Sequence, residues 1–164
     1  MVVSFTVDGD RVQSGLAAVQ DRLEDLTPFW REVFAPRYFN QVQDLFALEG
    51  QGRGAGGRFA SGHWAPLNPT YAAWKARHFP GTRILERTGR LMNSLAWSGS
   101  GLGPDGIFIA TPTFVVVGTE VPYAGYLQRG TEKMPARPFL PTPDPVEWAP
   151  TLRSWILGTL AEAL

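Results

Sequence analysis

The side chains able to do acid–base or metal chemistry are few and widely spaced in this sequence. It contains two histidines, His63 and His78, and no cysteine. Neither histidine stands at metal-ligand spacing from another histidine or a carboxylate, and no His-Glu-x-x-His pattern occurs. We interpret both as surface histidines. The absence of cysteine excludes disulfides, thiolate metal ligands and a cysteine nucleophile, and it agrees with a reducing compartment.

Carboxylates are the remaining candidates for general acid–base catalysis, which needs a buried or crowded carboxyl group with a shifted pKa. The candidates lie in turns or beside basic residues, where solvated or paired charge is the ordinary state: Glu86, Asp105, Glu120 and Glu132. The Gly-rich stretch lacks the Gly-Lys-Ser/Thr ending of a phosphate loop, and Gly-x-Ser-x-Gly is absent. We therefore predict no catalytic site, no cofactor and no metal.

Two local groups of basic residues could contact nucleic acid, although fifteen basic residues balance fifteen acidic ones over the chain. Arg53 and Arg58 stand within Gly50–Gly62, a pattern similar to the arginine–glycine segments that bind RNA or single strands. A solvated loop is the simpler interpretation, but a loop that projects into a channel would touch a phosphate backbone or a neighbouring subunit. The second group consists of Arg129, Lys133 and Arg137. Solvation or pairing with a neighbouring glutamate also explains it.

Hydrophobic spacing indicates the elements that precede the Gly-rich stretch. Residues 2–7 alternate apolar and polar side chains, which predicts a short strand. The residues that follow repeat apolar side chains at spacings of three and four, which predicts a helix with one face on the core. That apolar stripe consists of Val12, Leu16, Val19, Leu23 and Leu26. A second helical stretch runs from Pro28 to Leu48, and Pro36 must kink or divide it because proline lacks an amide hydrogen.

Further elements are predicted after the Gly-rich stretch. Asn68 as N-cap and Pro69 as first helical residue indicate a helix start. The following segments predict a short helix that runs into a strand, and then a β-hairpin bent at Thr111 and Pro112. The last helix is predicted to start at Asp144–Pro145 and to break at Pro150.

This order of elements predicts one α+β domain, 1–164, with an antiparallel sheet of about four strands packed by helices. Within it, 1–48 holds the N-terminal strand and helices, 49–63 is a flexible Gly-rich loop, 64–140 is the central segment, and 141–164 is the C-terminal helix. We expect neither a signal peptide nor a membrane-spanning helix, because no apolar run approaches the required length of about 20 residues.

Three motifs stand in order along the chain: WAPLNPTYAAWK, Trp64 to Lys75; ILERTGRLMNSL, Ile84 to Leu95; and VVVGTEVPYAGYLQRGTEKMPARPFL, Val115 to Leu140. Together they resemble the Mu-like phage virion morphogenesis proteins. The first is similar to the Trp-x-Pro-Leu-x-x-x-Thr helix start of that family, and the second to its Ile-Leu, Thr-Gly, Leu, Ser run. The third resembles its Val-Gly-Thr, Tyr-Ala, Gln-x-Gly, Arg-Pro-Phe-Leu ending, which the wider group of tail-completion and head–tail joining proteins shares. The Gly-rich insertion and the proline-rich link to the last helix depart from the family pattern.

The resemblance implies a structural component of a tailed phage or prophage that completes the tail or joins it to the head. Such proteins form rings, often sixfold, around the channel through which DNA leaves. The implied partners are copies of the chain itself, the tail terminator or tail tube, and neck or connector proteins, with passive contact to DNA. The implied location is the neck or tail of the virion, after assembly in the host cytoplasm.

The resembling segment also supplies the candidate subunit interface. Its residues are Tyr123, Tyr126, Gln128, Gly130, Arg137, Pro138, Phe139 and Leu140. We predict that Val121 to Gln128 form a short helix that docks Tyr123 and Tyr126 on the sheet, and that Gly130 ends it. The arm that follows is stiffened by prolines, and Phe139 and Leu140 are expected to anchor it in the same subunit or the next. We favour the next subunit. Arg53 and Arg58 are the candidate lumen or partner residues.

Three alternatives remain open at this point. The first is another station in the same particle, such as a tail terminator or a head-side stopper. The second is a hydrolase that acts on the cell wall or on precursor coat protein, for which Glu86, Glu120 and His78 would be the residues to test. The third is a nucleic-acid binding module that uses the Gly-rich loop.

Overall fold

The computed structural model describes residues 9–50, 64–141 and 145–163. The helices are α1 (Gly9–Glu24), a π-helix (Phe29–Phe34), α2 (Ala35–Ala47), α3 (Pro69–His78), α4 (Arg90–Ser94), α5 (Ala124–Arg129) and α6 (Pro145–Ala163). Two strands, β1 (Gly106–Ala110) and β2 (Val115–Thr119), lie between α4 and α5. The strand predicted at residues 2–7 and the predicted loop residues 51–63, which include Arg53, Arg58 and His63, lie outside the described residues.

The mixed α and β class is confirmed, but the predicted four-stranded sheet is not. In the described part of the chain the sheet has two antiparallel strands, with Gly106 opposite Thr119 at one end and Ala110 opposite Val115 at the other. The strand expected after α4 is reduced to an isolated bridge between Trp97 and Leu102. The turn between these two residues reverses the chain before a longer ladder can form, because the Ser98 amide bonds the Gly101 carbonyl.

The centre of the core is built by the π-helix and α2, which follow one another without a gap. The amide of Ala35 donates to the carbonyl of Trp30, five residues earlier, and this spacing defines the π-turn. Pro36 follows at once, so the predicted division of this segment is found one residue before the proline. The two helices bury one continuous aromatic and aliphatic face: Phe29, Phe34, Tyr38, Phe39, Val42, Leu45 and Phe46.

The predicted apolar stripe of α1 does not face the core. Val12 is 40 % exposed, Leu16 61 % and Leu23 52 %. The helix packs on α6 through an adjacent face, on which Gly15 is buried. The guanidinium of Arg22 lies 4.6 Å from the ring centroid of Trp155 on α6. The small Gly15 lets α1 approach α6 closely on this face. The larger apolar side chains lie on an adjacent face, which is exposed.

Helix α6 is continuous through Pro150, so the break predicted there is wrong. Pro150 stands near the start of a 19-residue helix and its ring is exposed, so only one early turn loses an amide donor. The rest of the helix is held by side chains that pack on the core, among them Trp148, Leu152 and Trp155. No helix among the described residues is long and apolar enough to cross a bilayer.

Candidate assembly surfaces

Residues Arg137–Pro141, called the arm below, fold back on their own chain. The Phe139 side chain is 1 % exposed, and its ring centroid lies 6.1 Å from that of Phe46 on α2. The hydroxyl of Tyr38, also on α2, donates to the carbonyl of Pro141 at 2.7 Å. The expectation that favoured an anchor in the next subunit is therefore replaced: Phe139 fills the core of its own subunit.

Gln128, in the last turn of α5, holds the main chain of the arm. Its Oε1 atom accepts hydrogen bonds from the amides of Phe139 at 2.9 Å and Leu140 at 3.1 Å. Its Nε2 atom donates to the carbonyl of Leu140 at 2.8 Å. One side-chain amide thus replaces the neighbouring strand that an extended segment would otherwise need.

Gly130 ends α5 as predicted and is required by its conformation. Its φ of 75° and ψ of 179° lie in a region that is essentially restricted to glycine. A Cβ atom there would stand 2.6 Å from the Ala136 amide nitrogen and 2.9 Å from the Met134 carbonyl oxygen. The turn brings Thr131 and Met134 together in an isolated bridge and returns the chain towards α5. Within the Gln-x-Gly sequence, Gln128 therefore binds the arm, and Gly130 forms the turn that returns the arm to Gln128.

Arg137 joins the arm to the first resembling pattern. The residue is 4 % exposed, and its guanidinium donates from Nε to the Ala65 carbonyl at 2.9 Å and from Nη2 to the Pro66 carbonyl at 3.0 Å. In the reverse direction the indole nitrogen of Trp64 donates to the Pro138 carbonyl at 2.8 Å. Burial lowers the pKa of Arg137 from its usual value. Trp-x-Pro-Leu and Arg-Pro-Phe-Leu are thus interlocked by three hydrogen bonds.

The second resembling pattern is tied to the third through two hydroxyl groups. Ser94, at the end of α4, is fully buried and donates to the Leu91 carbonyl at 2.7 Å. Its Oγ atom also lies 2.8 Å from Oγ1 of Thr119, the threonine of Val-Gly-Thr. Thr119 in turn accepts a hydrogen bond from the amide of Val121 at 3.2 Å. All three patterns therefore belong to one connected network.

Both ends of the Gly-rich stretch are fixed close to this network. The amide of Trp64 donates to the Glu49 carbonyl at 3.0 Å, and the Glu49 carboxylate accepts from the Ile84 amide at 2.8 Å. Lys75 on α3 is 5 % exposed and donates to the carbonyls of Thr82 and Arg83. Burial lowers the pKa of Lys75, although the nearby charges of Glu86 and Glu49 oppose that shift.

Three of the residues considered for catalysis, Glu86, His78 and Asp105, make contacts within the chain, whereas Glu120 and Glu132 are exposed. The Oε1 atom of Glu86 lies 3.7 Å from Nη1 of Arg83, and the Nδ1 atom of His78 lies 2.8 Å from the Trp74 carbonyl oxygen. Asp105 accepts two hydrogen bonds from Arg90, at 2.7 and 3.0 Å, and the bond to this guanidinium lowers the pKa of the Asp105 carboxyl. In the stretches that the structure describes, no three His, Cys, Asp or Glu side chains converge on a common metal position.

The two tyrosines predicted to dock on the sheet instead point to solvent. Tyr123 is 38 % and Tyr126 62 % exposed, while Val121 and Ala124 supply the buried face of this segment. Arg137 and Phe139 are therefore buried in the chain, where Gln128 binds the arm, and the exposed members of the candidate interface are Tyr123, Tyr126 and Pro138.

Exposed apolar side chains also cover one face of the hairpin. Ile109 is 54 % exposed and Val116 43 %, and these two residues are direct cross-strand partners. Phe114 in the connecting turn is 54 % exposed. The segment that follows α1 lies beside this turn, because the amide of Leu26 donates to the Pro112 carbonyl at 3.0 Å.

Comparison of the chain with family models, with curated proteins and with solved structures found no match.

Proposed function

We propose that this chain is a structural subunit of a tailed-phage particle, which completes the tail or joins it to the head as a ring around the DNA channel. The observation that carries the proposal is the display of large apolar side chains on separate elements: the α1 stripe, the outer hairpin face and the tyrosines of α5. Exposed apolar patches mark contacts with other macromolecules, and on the hairpin the exposed side chains of Ile109 and Val116 are direct neighbours. The resemblance in three patterns supplies the kind of particle.

The internal network supports an assembly role for the resembling residues. Their polar side chains bond main-chain groups inside the chain, as Gln128 and Arg137 do, so their chemistry is directed to holding a scaffold. A subunit of a closed ring needs two different surfaces, because head-to-tail contacts join unlike patches of neighbouring copies. The exposed apolar surfaces on α1, the hairpin and α5 provide at least two such different surfaces.

In this proposal the partners are further copies of the chain, in a ring of about six, together with the tail tube or terminator and the neck proteins. DNA passes through the lumen without sequence-specific contact. No cofactor is required, because the work of the protein is to keep a fixed geometry. A tail terminator and a head-side stopper are neighbouring positions in the same particle, and the axial partner that binds distinguishes them.

The test is negative-stain imaging of the purified protein, alone and mixed with tail tubes. We expect rings and ring-capped tube ends. Tyr126→Ser removes an exposed aromatic side chain that does not contact the core. The substitution should therefore reduce the formation of oligomeric rings and leave the thermal unfolding temperature unchanged. Lys133→Ser, at an exposed polar residue nearby, is the matched control and should assemble like the unmodified chain. A particle that forms no rings and never binds tubes contradicts the proposal.

A further inference from the structure

Helix α3 carries a row of stacked aromatic side chains on its exposed face: Tyr71, Trp74 and His78, called the aromatic row below. The ring centroids of Tyr71 and Trp74 are 5.6 Å apart at 23°, and those of Trp74 and His78 are 4.7 Å apart at 24°. Tyr71 is 39 % and Trp74 41 % exposed. Stacking fixes the rotamers, so a partner that contacts the row meets groups that are already in place.

Two exposed arginines continue this surface towards the C-terminal end of α3. The ring centroid of Phe79, directly after the helix, lies 5.8 Å from that of Trp74, and the guanidinium of Arg87 lies 6.0 Å from the Phe79 centroid. Arg77 stands three residues after Trp74, a spacing at which side chains on a helix are neighbours. Both arginines therefore belong to one surface with the aromatic row, called the α3 surface below.

The α3 surface displays hydrogen-bond donors that have no acceptor in the described part of the chain. There the indole nitrogen of Trp74 and the guanidiniums of Arg77 and Arg87 make neither a hydrogen bond nor an ion pair. Residues 64–90 contain five basic residues and one acidic residue, Glu86, whose carboxylate is paired with Arg83. Because arginine and indole nitrogens donate and cannot accept, the surface fits a partner rich in anionic acceptors.

We propose that the α3 surface contacts the phosphate backbone of duplex DNA, with Arg77 and Arg87 on phosphate oxygens and the Trp74 indole donating to the same strand. The inference rests on the proposed function, in which DNA passes the subunit, and it names the residues that face the DNA. Contacts to phosphate and sugar carry no sequence information. The aromatic row spans about 10 Å at 1.5 Å per residue, which matches about three phosphates of one strand, at 3.4 Å of duplex axis each.

Duplex DNA fits the α3 surface better than a single strand or an acidic protein does. The Trp74 ring already stacks on two neighbouring rings, so it is not an open platform for an unpaired base. A duplex also carries the higher charge density, about one negative charge for every 1.7 Å of its axis. The carboxylates of an acidic protein would also accept from the arginines, but contacts to phosphates let DNA slide past, as passage through a channel requires.

Fluorescence anisotropy with a short labelled duplex of arbitrary sequence tests this contact at several salt concentrations. The test variant carries Arg77→Ser and Arg87→Ser, two exposed positions, so it should fold, which circular dichroism and thermal unfolding verify. The plot of log affinity against log salt concentration should lose about 1.8 of its slope for each subunit that contacts DNA, because each lost phosphate contact removes about 0.9. At about 0.1 M salt, binding should be weaker by roughly sixtyfold for each such subunit.

A matched control removes the same amount of charge elsewhere. Arg37→Ser combined with Arg153→Ser changes exposed arginines on α2 and α6, and this variant should bind the duplex as the unmodified chain does. Trp74→Phe keeps an aromatic ring but removes the indole donor. It should weaken binding about tenfold and leave the salt slope unchanged, because a neutral donor displaces no counterion.

Four results overturn the inference. They are equal binding by the Arg77→Ser, Arg87→Ser variant and its control, no duplex binding by the unmodified chain, tighter binding of a single strand of the same length, and tighter binding of a poly-glutamate peptide, which would assign the α3 surface to an acidic protein. Imaging of the unmodified chain keeps the proposed function separate. Rings without DNA binding leave that function standing and overturn this inference. DNA binding that depends on the two arginines, by a chain that forms no rings and binds no tail tubes, does the reverse.

Discussion

Arg137 donates its guanidinium hydrogens to two main-chain carbonyl groups, those of Ala65 and Pro66, and to no carboxylate among the described residues. Burying a cation in this way is unfavourable unless its donors are used, and here the bidentate geometry of arginine connects two adjacent peptide units. Lysine lacks this planar fork of donors, so its ammonium group would not reproduce the same geometry at Ala65 and Pro66. The residue therefore acts as a connector between distant segments of the chain.

Arg137→Ala should lower the free energy of unfolding by about 3 kcal/mol, because two buried carbonyls lose a charged donor. Arg137→Lys should recover little of this loss, since an ammonium group lacks the planar fork. Urea denaturation measures both changes. Arg129→Ala, at an exposed arginine in α5, is the control and should unfold as the unmodified chain does. Equal stability of Arg137→Ala and the control would contradict the connector role.

Gly130 provides a second test at a single residue. Gly130→Ala places a methyl group 2.6 Å from the Ala136 amide and forces a strained backbone, so we expect a loss of about 3 kcal/mol. Gly125→Ala, five residues earlier within α5, meets only the flexible end of Arg129 at 3.3 Å. Helix propensity should make this second substitution neutral or stabilising by up to about 1 kcal/mol. Similar thermal shifts for the two variants would refute the conformational argument.

Tyr38 makes stability depend on pH in the alkaline range. Burial raises the pKa of Tyr38 above its ordinary value of 10.0, so the folded chain keeps this proton where the unfolded chain releases it. The stabilisation is complete below pH 10 and is lost above it, by about 1.4 kcal/mol per pH unit. Tyr38→Phe should cost about 1 kcal/mol near pH 8, because the bond to Pro141 is lost, but should remove this alkaline decline.

Guanidinium denaturation of Tyr38→Phe and the unmodified chain between pH 8 and 11 measures the difference. Lys75, whose pKa is lowered by burial, is present in both proteins, so its contribution cancels. Tyr126→Phe at an exposed ring is the matched control and should follow the unmodified chain. Parallel profiles for Tyr38→Phe and the unmodified chain would show that the Tyr38 proton is not linked to folding.

At the scale of elements, the arm is part of the core although its sequence suggests an extension. Prolines prevent it from joining a sheet, and the side chain of Gln128 supplies the bonds that a neighbouring strand would give. Its one large buried side chain, Phe139, contacts α2. Loss of the arm should therefore unfold the subunit before it affects any contact between subunits.

Phe139→Ala should destabilise the single chain by about 4 kcal/mol, the usual cost of removing a fully buried phenylalanine. The measurement is the unfolding midpoint in urea at a concentration where the chain is not assembled. Phe114→Ala removes a ring that is 54 % exposed and serves as the control, with an expected loss under about 1 kcal/mol. If Phe139→Ala unfolds like the control yet fails to assemble, the arm belongs to an interface after all.

Spacing in the sequence predicted local elements well but not the face that each element buries. Asn68 and Pro69 start α3 as expected, with the Asn68 side chain accepting from the Thr70 amide, because capping is decided within a few residues. Apolar residues that recur at helical spacing predict that the α1 stripe faces the core, whereas the structure leaves most of the stripe exposed. Its true contact face depends on the shape of α6, which is distant in sequence.

The spacing in the sequence marks Gln128, Gly130, Arg137 and Phe139 as one group, and the fold brings them together, but their contacts lie within one subunit and not in the predicted interface. Lys75 and Tyr38 were missed, because a lysine on a polar helix and a tyrosine among aromatics carry no local sign of the carbonyl that each will meet. Those carbonyls belong to residues in other segments, and only the folded chain brings them into reach.

At the scale of the whole molecule, the interior is linked by hydrogen bonds, while several apolar faces remain exposed in the part of the chain that the structure describes. The three resembling patterns bond to one another from α3 to the arm, so this half of the chain behaves as one scaffold. The uncovered faces lie on α1, α3, α5 and the hairpin. Burying such faces against copies of the same chain contributes roughly 25 cal/mol for each Å² of apolar area, which offsets the entropy cost of association. We propose ring formation because it explains both the hydrogen-bonded scaffold and the exposed apolar faces.

The most direct test of this account is native mass spectrometry of the purified chain over a range of concentrations. A subunit that closes a ring by head-to-tail contacts should pass from monomer to one discrete higher stoichiometry, with few intermediate species. The account predicts that single product, near six copies. A continuous ladder of masses, or a monomer at every concentration both alone and with tail tubes, would contradict it.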